Sequence, residues 1–419
     1  MSTVVTLHEG KEKLPVKHHP WIFSGAIADV QDFQPEAETT GSVARVQDST
    51  GLFIAWGWYD PQAHIPVRLL EWTEAQQPDD AWWEHKLHAA LLRRRHFFET
   101  PAGMDMPETT SLRLVHGEAD FLPGVTIDIL GSMVRILISA KVAWDHRTLL
   151  VDTVRKFLSP ALIIINTDST YAPLENYPVT EIWYKDGERF IPEGKQPNIR
   201  FRENGLMYEL PPGTGQKSGF YCDQRDNRQA VERWCRNADV LDGFSYTGGF
   251  TLHALRGGAR HVLALDSSKQ ALRRLLAQVH INSDAGRIPS DSRERVEIED
   301  CDVFEKLRTI PENSYDVVIM DPPKLAPSKS HVEAASKAYK DINRLAMKVV
   351  RDGGIILTFS CSGAIDMATF RTIIAWAATD AKVEVQVLQH LGQAEDHPVR
   401  TSFPESEYLT GLVLRVIKS

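Results

Sequence analysis

The sequence of 419 residues has few cysteines and no long hydrophobic run. Its four cysteines are widely separated and form no CxxC pair, a pattern typical of a reduced protein without a zinc site, and we expect no bound metal. No apolar stretch approaches membrane-spanning length, and the N-terminus lacks the hydrophobic core of a secretory signal. The sequence therefore predicts a cytoplasmic protein that does not cross a membrane.

An excess of basic residues is also missing. Lys and Arg number 47 against 56 for Asp and Glu, so the formal net charge is −9. Proteins that coat nucleic acid without sequence preference are usually basic, and the charge argues against that class. It leaves room for a local basic groove.

Three regions follow from length and hydrophobic patterning, since 419 residues exceed one ordinary core. Residues 1–77 show short alternating apolar segments separated by turn signals, which favours a small β-barrel. Residues 78–195 predict a central α+β domain. Residues 196–419 alternate strands and helices, as in an open, doubly wound α/β sheet, and we expect the last two strands to form an antiparallel hairpin at its edge.

One β-α-β segment, Val240–Asp266, carries the first chemical signal. Its first strand ends in Asp242, a glycine-bearing turn leads into a helix, and its second strand ends in Asp266. Glycines allow close approach of backbone to a ligand, a helix N-terminus offers unpaired N–H groups, and an acid at the second strand end can bind ribose hydroxyls. The segment predicts a site for an adenosine-type cofactor.

The turn distinguishes between two such cofactors. It fits the G-x-G-x-x-G spacing of NAD-binding proteins poorly, and Asp242 suits a cationic ligand better than a phosphate. S-adenosylmethionine (SAM) carries an ammonium and a sulfonium and no phosphate, so we favour SAM. Two more acids, Asp302 and Asp321, follow later strands, and four acids in order at successive strand ends are improbable by chance.

Two further strand ends carry candidates for chemistry. Asp321-Pro322-Pro323-Lys324 forms a rigid turn of the kind that holds a target ring in methyltransferases acting on bases. A cysteine in a strand is usually a small core residue. Cys361 differs, because it lies at a predicted carboxyl strand end between two serines and before a glycine.

The chain resembles the RlmI family, bacterial SAM-dependent methyltransferases that make 5-methylcytosine in 23S ribosomal RNA. The resemblance extends over the whole chain and includes segments similar to that family's N-terminal PUA domain and its central domain. Phe121 departs from the family pattern, where glycine is usual. The motifs that carry the resemblance are HPWIFSG, RLVHGEADFLPG, QKSGFYCDQRDNR, FSYTGGF, DPPK, YKDIN, FSCSG and DHP.

The resemblance implies a Rossmann-like class I methyltransferase domain and methylation of carbon 5 of a cytosine through a covalent adduct. Cys361 would be the nucleophile, and Asp321 would face nitrogen 3 of the ring. The implied partner is 23S ribosomal RNA or a large-subunit precursor; a homodimer is compatible with the sequence. The base that removes the carbon 5 proton and the target nucleotide are not assigned.

The resemblance also implies binding residues. Those for the cofactor are Gln216, Phe220 and Arg225 at the methionine end, Asp242, Phe244, Tyr246 and Gly248 at the turn, Asp266 at the ribose and Asp302 at the adenine. The residues themselves suggest further contacts with RNA. Candidates are Pro322 and Lys324 in the Asp-Pro-Pro-Lys turn, His19 and Trp21 in the aromatic segment of the N-terminal β domain, and Arg94 and Arg95 in a basic cluster.

Other interpretations remain. Methylation of a ring or amino nitrogen of RNA would keep the fold and need no thiol. A non-catalytic RNA-binding assembly factor would keep only the cofactor fold. The basic cluster that contains Arg94 and Arg95 is equally compatible with a solvated helix end, where cations suit the helix dipole.

Overall fold

The structure is a computed structural model that describes residues 3–36, 39–100, 102, 107–213, 219–326 and 331–418. The chain divides into two compact units. Unit 1 comprises Met1–Phe201, Pro211–Gly219 and Asp396–Ser406; unit 2 comprises Arg202–Leu210, Phe220–Glu395 and Glu407–Ser419.

The first sheet of unit 1 has six strands in the order β2-β6-β5-β4-β1-β3. Alternating burial along β4 matches its apolar alternation, and the inward side chains form a core of small and branched aliphatic residues. The predicted N-terminal β domain is confirmed. The elements are β1 (Thr3–Leu7), α1 (Lys13–Val16), β2 (Trp21–Ile22), β3 (Ile27–Gln31), β4 (Ser42–Gln47), β5 (Phe53–Tyr59) and β6 (Val67–Glu71).

The second sheet of unit 1 has the order β12-β11-β10-β9-β8-β7, with only β9 and β10 parallel. Its helices and strands share one hydrophobic core with Trp58 and Leu70 of the first sheet, which explains why both sheets fall in one unit. The elements are α2 (Asp80–Arg93), β7 (Ser111–His116), β8 (Val125–Leu130), β9 (Met133–Ile138), α3 (Lys141–Asp145), α4 (Arg147–Leu158), β10 (Leu162–Thr167), β11 (Glu181–Lys185) and β12 (Glu188–Phe190).

A two-stranded sheet of β13 (Ile199–Glu203) and β14 (Leu206–Leu210) precedes the main sheet of unit 2. That main sheet has the order β17-β16-β15-β18-β19-β21-β20. Its elements are α5 (Arg225–Val231), β15 (Asp239–Gly243), α6 (Gly249–Arg256), β16 (His261–Asp266), α7 (Lys269–Asp284), β17 (Val296–Asp300), α8 (Val303–Thr309), β18 (Tyr315–Met320), α9 (Val332–Val349), β19 (Val350–Ser360), α10 (Met367–Ala381), β20 (Glu384–Gly392) and β21 (Thr410–Ile417).

Strands β15 to β19 of this sheet are parallel, and the inner strands β15 and β18 are buried over most of their length, as expected for strands covered on both faces. Strand β21 pairs antiparallel with β19, and β20 pairs antiparallel with β21 at the edge. The predicted doubly wound sheet and its terminal hairpin are confirmed. Strand β20 reaches Gly392.

The segment between those two strands does not stay in unit 2. Residues Asp396–Ser406 belong to unit 1, where the Asp396 carboxylate accepts a hydrogen bond from the Arg113 backbone N–H at 2.7 Å. His397 is buried there with its Nδ1 3.0 Å from an Asp396 oxygen. This excursion was not predicted, because local patterning says nothing about which sheet a loop joins.

Candidate active site

Five residues meet at one edge of the large sheet. Asp242, Asp266, Asp302, Asp321 and Cys361 lie at or just after the carboxyl ends of β15, β16, β17, β18 and β19. The strand register aligns these ends, because Gly243 lies opposite both Leu265 and Met320, and Met320 lies opposite Thr358. Open α/β sheets bind ligands at this edge.

The turn after β15 is held in an unusual backbone conformation. Phe244, Tyr246 and Gly248 have φ angles of 64°, 49° and 88°. The first two lack the freedom of glycine, and such local strain is concentrated at ligand-binding sites. At Gly248 a β-carbon would lie 2.5 Å from Cγ of Leu275, so both backbone angle and space require glycine.

Asp266 ties this turn to the second strand. One carboxylate oxygen accepts the Tyr246 backbone N–H at 2.9 Å, and the other accepts that of Ser268 at 2.8 Å. The carboxylate is therefore held in one orientation and retains further acceptor capacity on both oxygens. This arrangement suits two ribose hydroxyls.

The surroundings of Asp242 show whether the site suits a cationic or an anionic cofactor. Its side chain is 1% exposed; one oxygen accepts the Thr251 hydroxyl at 2.6 Å, and Oδ1 has no hydrogen-bond partner among the described residues. Burial, together with the charge of Asp266, raises the pKa of Asp242 to about 7. A buried acid with an unused oxygen fits the positive charge of SAM and would repel the pyrophosphate of NAD.

Asp302 begins α8. Its Oδ1 caps the helix by accepting the backbone N–H groups of Phe304 and Glu305 at 2.8 and 3.2 Å, and the residue is exposed. The Phe304 ring packs edge to face with that of Phe244, at a centroid distance of 6.0 Å. Phe304 was not predicted; an acid beside two aromatic rings suits an adenine, which combines an amino donor with a flat apolar surface.

Asp321 is half-buried at the end of β18. Its Oδ1 accepts Nε2 of Gln224 at 2.9 Å. Burial, followed by the negative charge of Asp223, raises the pKa of Asp321 to about 7. An acid of this kind holds its proton in a substantial fraction of molecules at neutral pH and can donate it.

Cys361 follows β19 and is half-buried, in no disulfide. Its Sγ lies 3.9 Å from the carbonyl oxygen of Pro322, which places the thiol directly beside the Asp-Pro-Pro turn. The next residue, Ser362, is fully buried, and its hydroxyl accepts the Ala326 backbone N–H at 3.1 Å. That contact holds the end of the turn against the end of the strand.

Asp321 is the end of a chain of hydrogen-bonded side chains that the sequence did not predict. Gln224 accepts Nδ2 of Asn227 at 2.6 Å, and that amide also donates to the Gly392 carbonyl at 2.8 Å. Beside it, the Tyr408 hydroxyl donates to Asp223 at 2.6 Å. The QRDNR motif was the available signal, but nothing in it shows that Gln224 contacts an acid 97 positions away.

For the remaining predicted residues of unit 2, the structure gives burial but no contact that identifies a ligand. Phe220 and Arg225 are buried, with the Phe220 ring under the Arg228 guanidinium, and their assignment to the methionine end stays a prediction. Pro322 is buried and Lys324 is exposed. Gln216 lies outside the described residues.

The RNA-binding predictions for unit 1 need one correction. Arg94 is 3% exposed and donates two hydrogen bonds of 2.7 Å to the Asp120 carboxylate, so its guanidinium stabilises the fold and has no free face for RNA. The prediction for Arg94 is wrong, because a run of arginines does not show which member points inward. Arg95 is exposed.

Trp21 begins β2 in the first sheet of unit 1, and His19 lies two residues before it. Nε1 of Trp21 donates to Glu118 at 2.8 Å, and both rings pack edge to face against Phe403. Nε2 of His19 lies 3.5 Å from a Glu405 oxygen. Their role in RNA binding stays a prediction.

The glycine turn, the buried Asp242 and the placement of Cys361 at the same sheet edge are features expected of a SAM-dependent methyltransferase. The chain adds an N-terminal β-sheet that belongs to unit 1. Comparisons with known proteins agree. Residues 5–72 match the model of the PUA-like domain family, and residues 195–399 match that of the S-adenosylmethionine-dependent methyltransferase family.

The chain belongs to the ribosomal RNA large subunit methyltransferase I family. The relative of that name from Citrobacter koseri is 36% identical over 419 residues and the one from Pseudoalteromonas translucida 35% over 424; the matches cover at least 99% of this chain and 100% of each relative. SAM is the cofactor.

Solved structures agree on the fold. SMU.776, a putative methyltransferase crystallised with SAH, matches with a TM-score of 0.77 at 19% identity, over 99% of this chain and 100% of the other. No helix among the described residues is long and apolar enough to cross a membrane.

Proposed function

We propose that this protein transfers the methyl group of SAM to carbon 5 of a cytosine in 23S ribosomal RNA, with Cys361 as a covalent nucleophile. The observation that carries the proposal is the placement of the Cys361 thiol beside the Asp321-Pro322 turn, with Sγ 3.9 Å from the Pro322 carbonyl oxygen. Methylation of nitrogen needs no thiol, because nitrogen has its own lone pair.

The large-subunit substrate rests on the names of the relatives, which are ribosomal RNA large subunit methyltransferases along their full length. The PUA-like domain matched by residues 5–72 is a place for RNA contact outside the catalytic unit. Exposed Arg95 and Lys324 are candidates for phosphate contacts.

Carbon 5 of cytosine is a weak nucleophile, and the residues at this edge can change that. The Cys361 thiolate adds to carbon 6, and nitrogen 3 takes up the Asp321 proton as the ring electrons shift towards carbon 5. SAM, when bound, supplies the methyl group that carbon 5 accepts. Loss of the carbon 5 proton to a base in the pocket then expels the thiolate, and nitrogen 3 returns its proton to the Asp321 carboxylate.

The cofactor contacts follow from the same edge. Asp242 lies buried below the turn, where its charge favours the cationic methionine end, while Asp266 takes the ribose and Asp302 the adenine amino group. The turn of Phe244, Tyr246 and Gly248 is shaped to let the cofactor approach the backbone.

The test is to trap the adduct. Wild-type protein is incubated with SAM and large-subunit ribosomal RNA containing 5-fluorocytidine, whose carbon 5 cannot lose a proton after methylation. We expect a protein–RNA complex that resists denaturing electrophoresis and is absent for Cys361→Ala.

Cys301 offers the matched control, since it follows β17, is partly exposed and is also a free thiol. Cys301→Ala should form the complex as wild type does. If wild type methylates ordinary RNA but leaves no complex with the fluorinated RNA, the covalent mechanism is wrong. Methylated nucleosides other than 5-methylcytidine in the digested product would exclude the cytosine-5 assignment.

A further inference from the structure

We propose that the hydroxyl groups of Tyr339 and Ser362 form a positioning pair that holds the Cys361 thiol in place for attack on the target ring. The inference rests on the proposed function, because it concerns the nucleophile of that mechanism. Neither residue has a part in the reaction described above. Both belong to motifs whose role that reaction leaves open, since Tyr339 begins YKDIN and Ser362 follows the cysteine of FSCSG.

Ser362 joins two loops at the active-site edge of the sheet. It lies in the loop after β19, and its Oγ accepts the backbone N–H of Ala326, in the loop after β18, at 3.1 Å. Its own backbone N–H donates to Oγ of Ser360 at 3.4 Å, across the cysteine. Both serines are fully buried, whereas Cys361 between them is half-buried. The serine hydroxyl groups therefore lie inside the fold, and the thiol stays accessible from the edge.

Tyr339 approaches the Ser362 hydroxyl from α9. Its side chain is fully buried, and its hydroxyl oxygen lies 3.3 Å from Oγ of Ser362, where either group can donate. The Tyr339 ring packs edge to face against the ring of Phe370 in α10, at a centroid distance of 5.9 Å. Two helices thus set the position of the ring, and the hydroxyl that it presents to Ser362 is a fixed point.

The other polar residues of the YKDIN motif have different contacts. Lys340 and Asp341 form ion pairs at the helix surface. Asn343 is buried, and its Nδ2 donates to the Tyr339 carbonyl oxygen at 2.8 Å, within the helix. The Tyr339 side chain instead reaches the loop that carries Cys361. This contact gives the first residue of the motif a connection to the nucleophile.

The two loops that Ser362 joins are the loops that carry the reacting groups. Sγ of Cys361 lies 3.9 Å from the carbonyl oxygen of Pro322, which directly follows Asp321. A serine side chain alone can rotate about its Cα–Cβ bond, and the Tyr339 hydroxyl favours the rotamer that meets the backbone of the other loop. Alignment of this kind matters, because a misplacement of about 1 Å can lower a rate on the order of 100-fold.

The test separates the position of the thiol from its reactivity. Tyr339→Phe removes one hydroxyl and keeps the ring. Its covalent complex with large-subunit ribosomal RNA containing 5-fluorocytidine, in the presence of SAM, should form about tenfold more slowly than that of wild type, because this step needs the thiol aligned with a bound ring. Alkylation of Cys361 by iodoacetamide without RNA, followed on its own peptide by mass spectrometry, should stay within about twofold of wild type, because a small reagent needs no such alignment.

A second variant tests whether the two hydroxyl groups act together. Ser362→Ala should also slow formation of the complex, and the double variant Tyr339→Phe/Ser362→Ala should be no slower than Ser362→Ala, because the tyrosine acts through the serine. With ordinary RNA, kcat should fall in Tyr339→Phe, whereas KM for RNA and the affinity for SAM should keep their wild-type values. A general loss of structure would change all of these quantities.

Ser283→Ala is the matched control, because it removes a buried hydroxyl from the same unit. Oγ of Ser283 donates to the Ser290 carbonyl oxygen at 3.0 Å. The residue lies in the last turn of α7, and a helix that joins two parallel strands runs back along the sheet, away from the carboxyl ends of the strands. The variant should melt at a lower temperature than wild type and leave both rates unchanged.

Tyr339→Phe that forms the covalent complex as fast as wild type overturns the inference. A double variant about tenfold slower than Ser362→Ala also overturns it, because the two hydroxyl groups would then act independently. Slower complex formation together with a changed rate of Cys361 alkylation would show an effect on the thiol itself, which contradicts a positioning role. A wild-type protein that methylates ordinary RNA but forms no complex counts instead against the proposed function.

Discussion

Replacing Asp242 by Asn should stabilise the cofactor-free protein and weaken SAM binding at the same time. The pKa of Asp242 is raised from an ordinary value of 3.8 to about 7 by burial and by Asp266. Each pKa unit corresponds to about 1.4 kcal/mol, so ionised Asp242 costs the folded protein up to about 4 kcal/mol above pH 7. The asparagine has no such cost and still accepts the Thr251 hydroxyl.

The sign follows from proton binding. Between pH 4 and 7 the folded protein holds a proton on Asp242 that the unfolded chain has lost, so stability falls as pH rises through this window. In Asp242→Asn that contribution to the pH dependence disappears. Because Asp321 contributes a similar slope, the variant should reduce the fall without abolishing it.

Calorimetric melting of the cofactor-free protein at pH 5 and pH 8 measures the first effect. The variant should be the more stable by about 1.5 kcal/mol at pH 5 and by about 4 kcal/mol at pH 8. Isothermal titration with SAM measures the second. Loss of a charged partner to a cationic ligand should weaken binding by on the order of 10- to 100-fold.

Asp239, at the other end of β15, is the control. Its pKa is lowered by hydrogen bonds from Arg260 and Arg351, so its charge stabilises the fold at neutral pH and Asp239→Asn should destabilise without affecting SAM. Equal pH dependence for wild type and Asp242→Asn, or equal SAM affinity, would refute the role of Asp242 as the buried partner of the cofactor's charge.

Two further substitutions test the site and the correction in unit 1. Gly248→Ala should lower the free energy of unfolding by about 1–3 kcal/mol and abolish measurable SAM binding, because φ is 88° and the new β-carbon would lie 2.5 Å from Leu275. Thermal melting and titration with SAM measure the two effects. The control is Gly286→Ala, at positive φ in open space, which should lose stability but keep SAM binding. Arg94→Ala should lower the stability of unit 1 by about 3–5 kcal/mol, because it leaves the Asp120 carboxylate buried without its main partner. Unfolding in denaturant measures this loss.

The control for Arg94 is its neighbour Arg95, which is exposed. Arg95→Ala should leave stability unchanged within about 0.5 kcal/mol. Equal stabilities for the two variants would restore the prediction that Arg94 is a surface residue. A fully SAM-competent Gly248→Ala would show that the turn tolerates a side chain in the cofactor's path.

Much of unit 2 was predictable because its signals are local. A strand, a glycine turn and a helix are read from a short run of residues, and an acid at a strand end needs only a correct strand boundary. Val240–Asp266 and the strand end at Cys361 are of this kind. The predicted SAM cofactor followed because the acid at the first strand end is itself a local feature.

What the sequence could not predict depends on distant pairings. Nothing local distinguishes buried Arg94 from exposed Arg95, since only the tertiary partner Asp120 decides which side chain turns inward. The contact between Gln224 and Asp321 joins two motifs that were both recognised, yet their meeting depends on how α5 lies against the sheet. The excursion of Asp396–Ser406 into unit 1 is of the same kind.

The sequence by itself determined the cofactor class, the sheet and the order of chemical residues along its edge, because parallel strands bring their carboxyl ends to one side whatever the loops do. Only the tertiary structure decided the protonation of those residues. Burial and neighbouring charge raise the pKa of Asp242 and Asp321, and both depend on which groups fold against them.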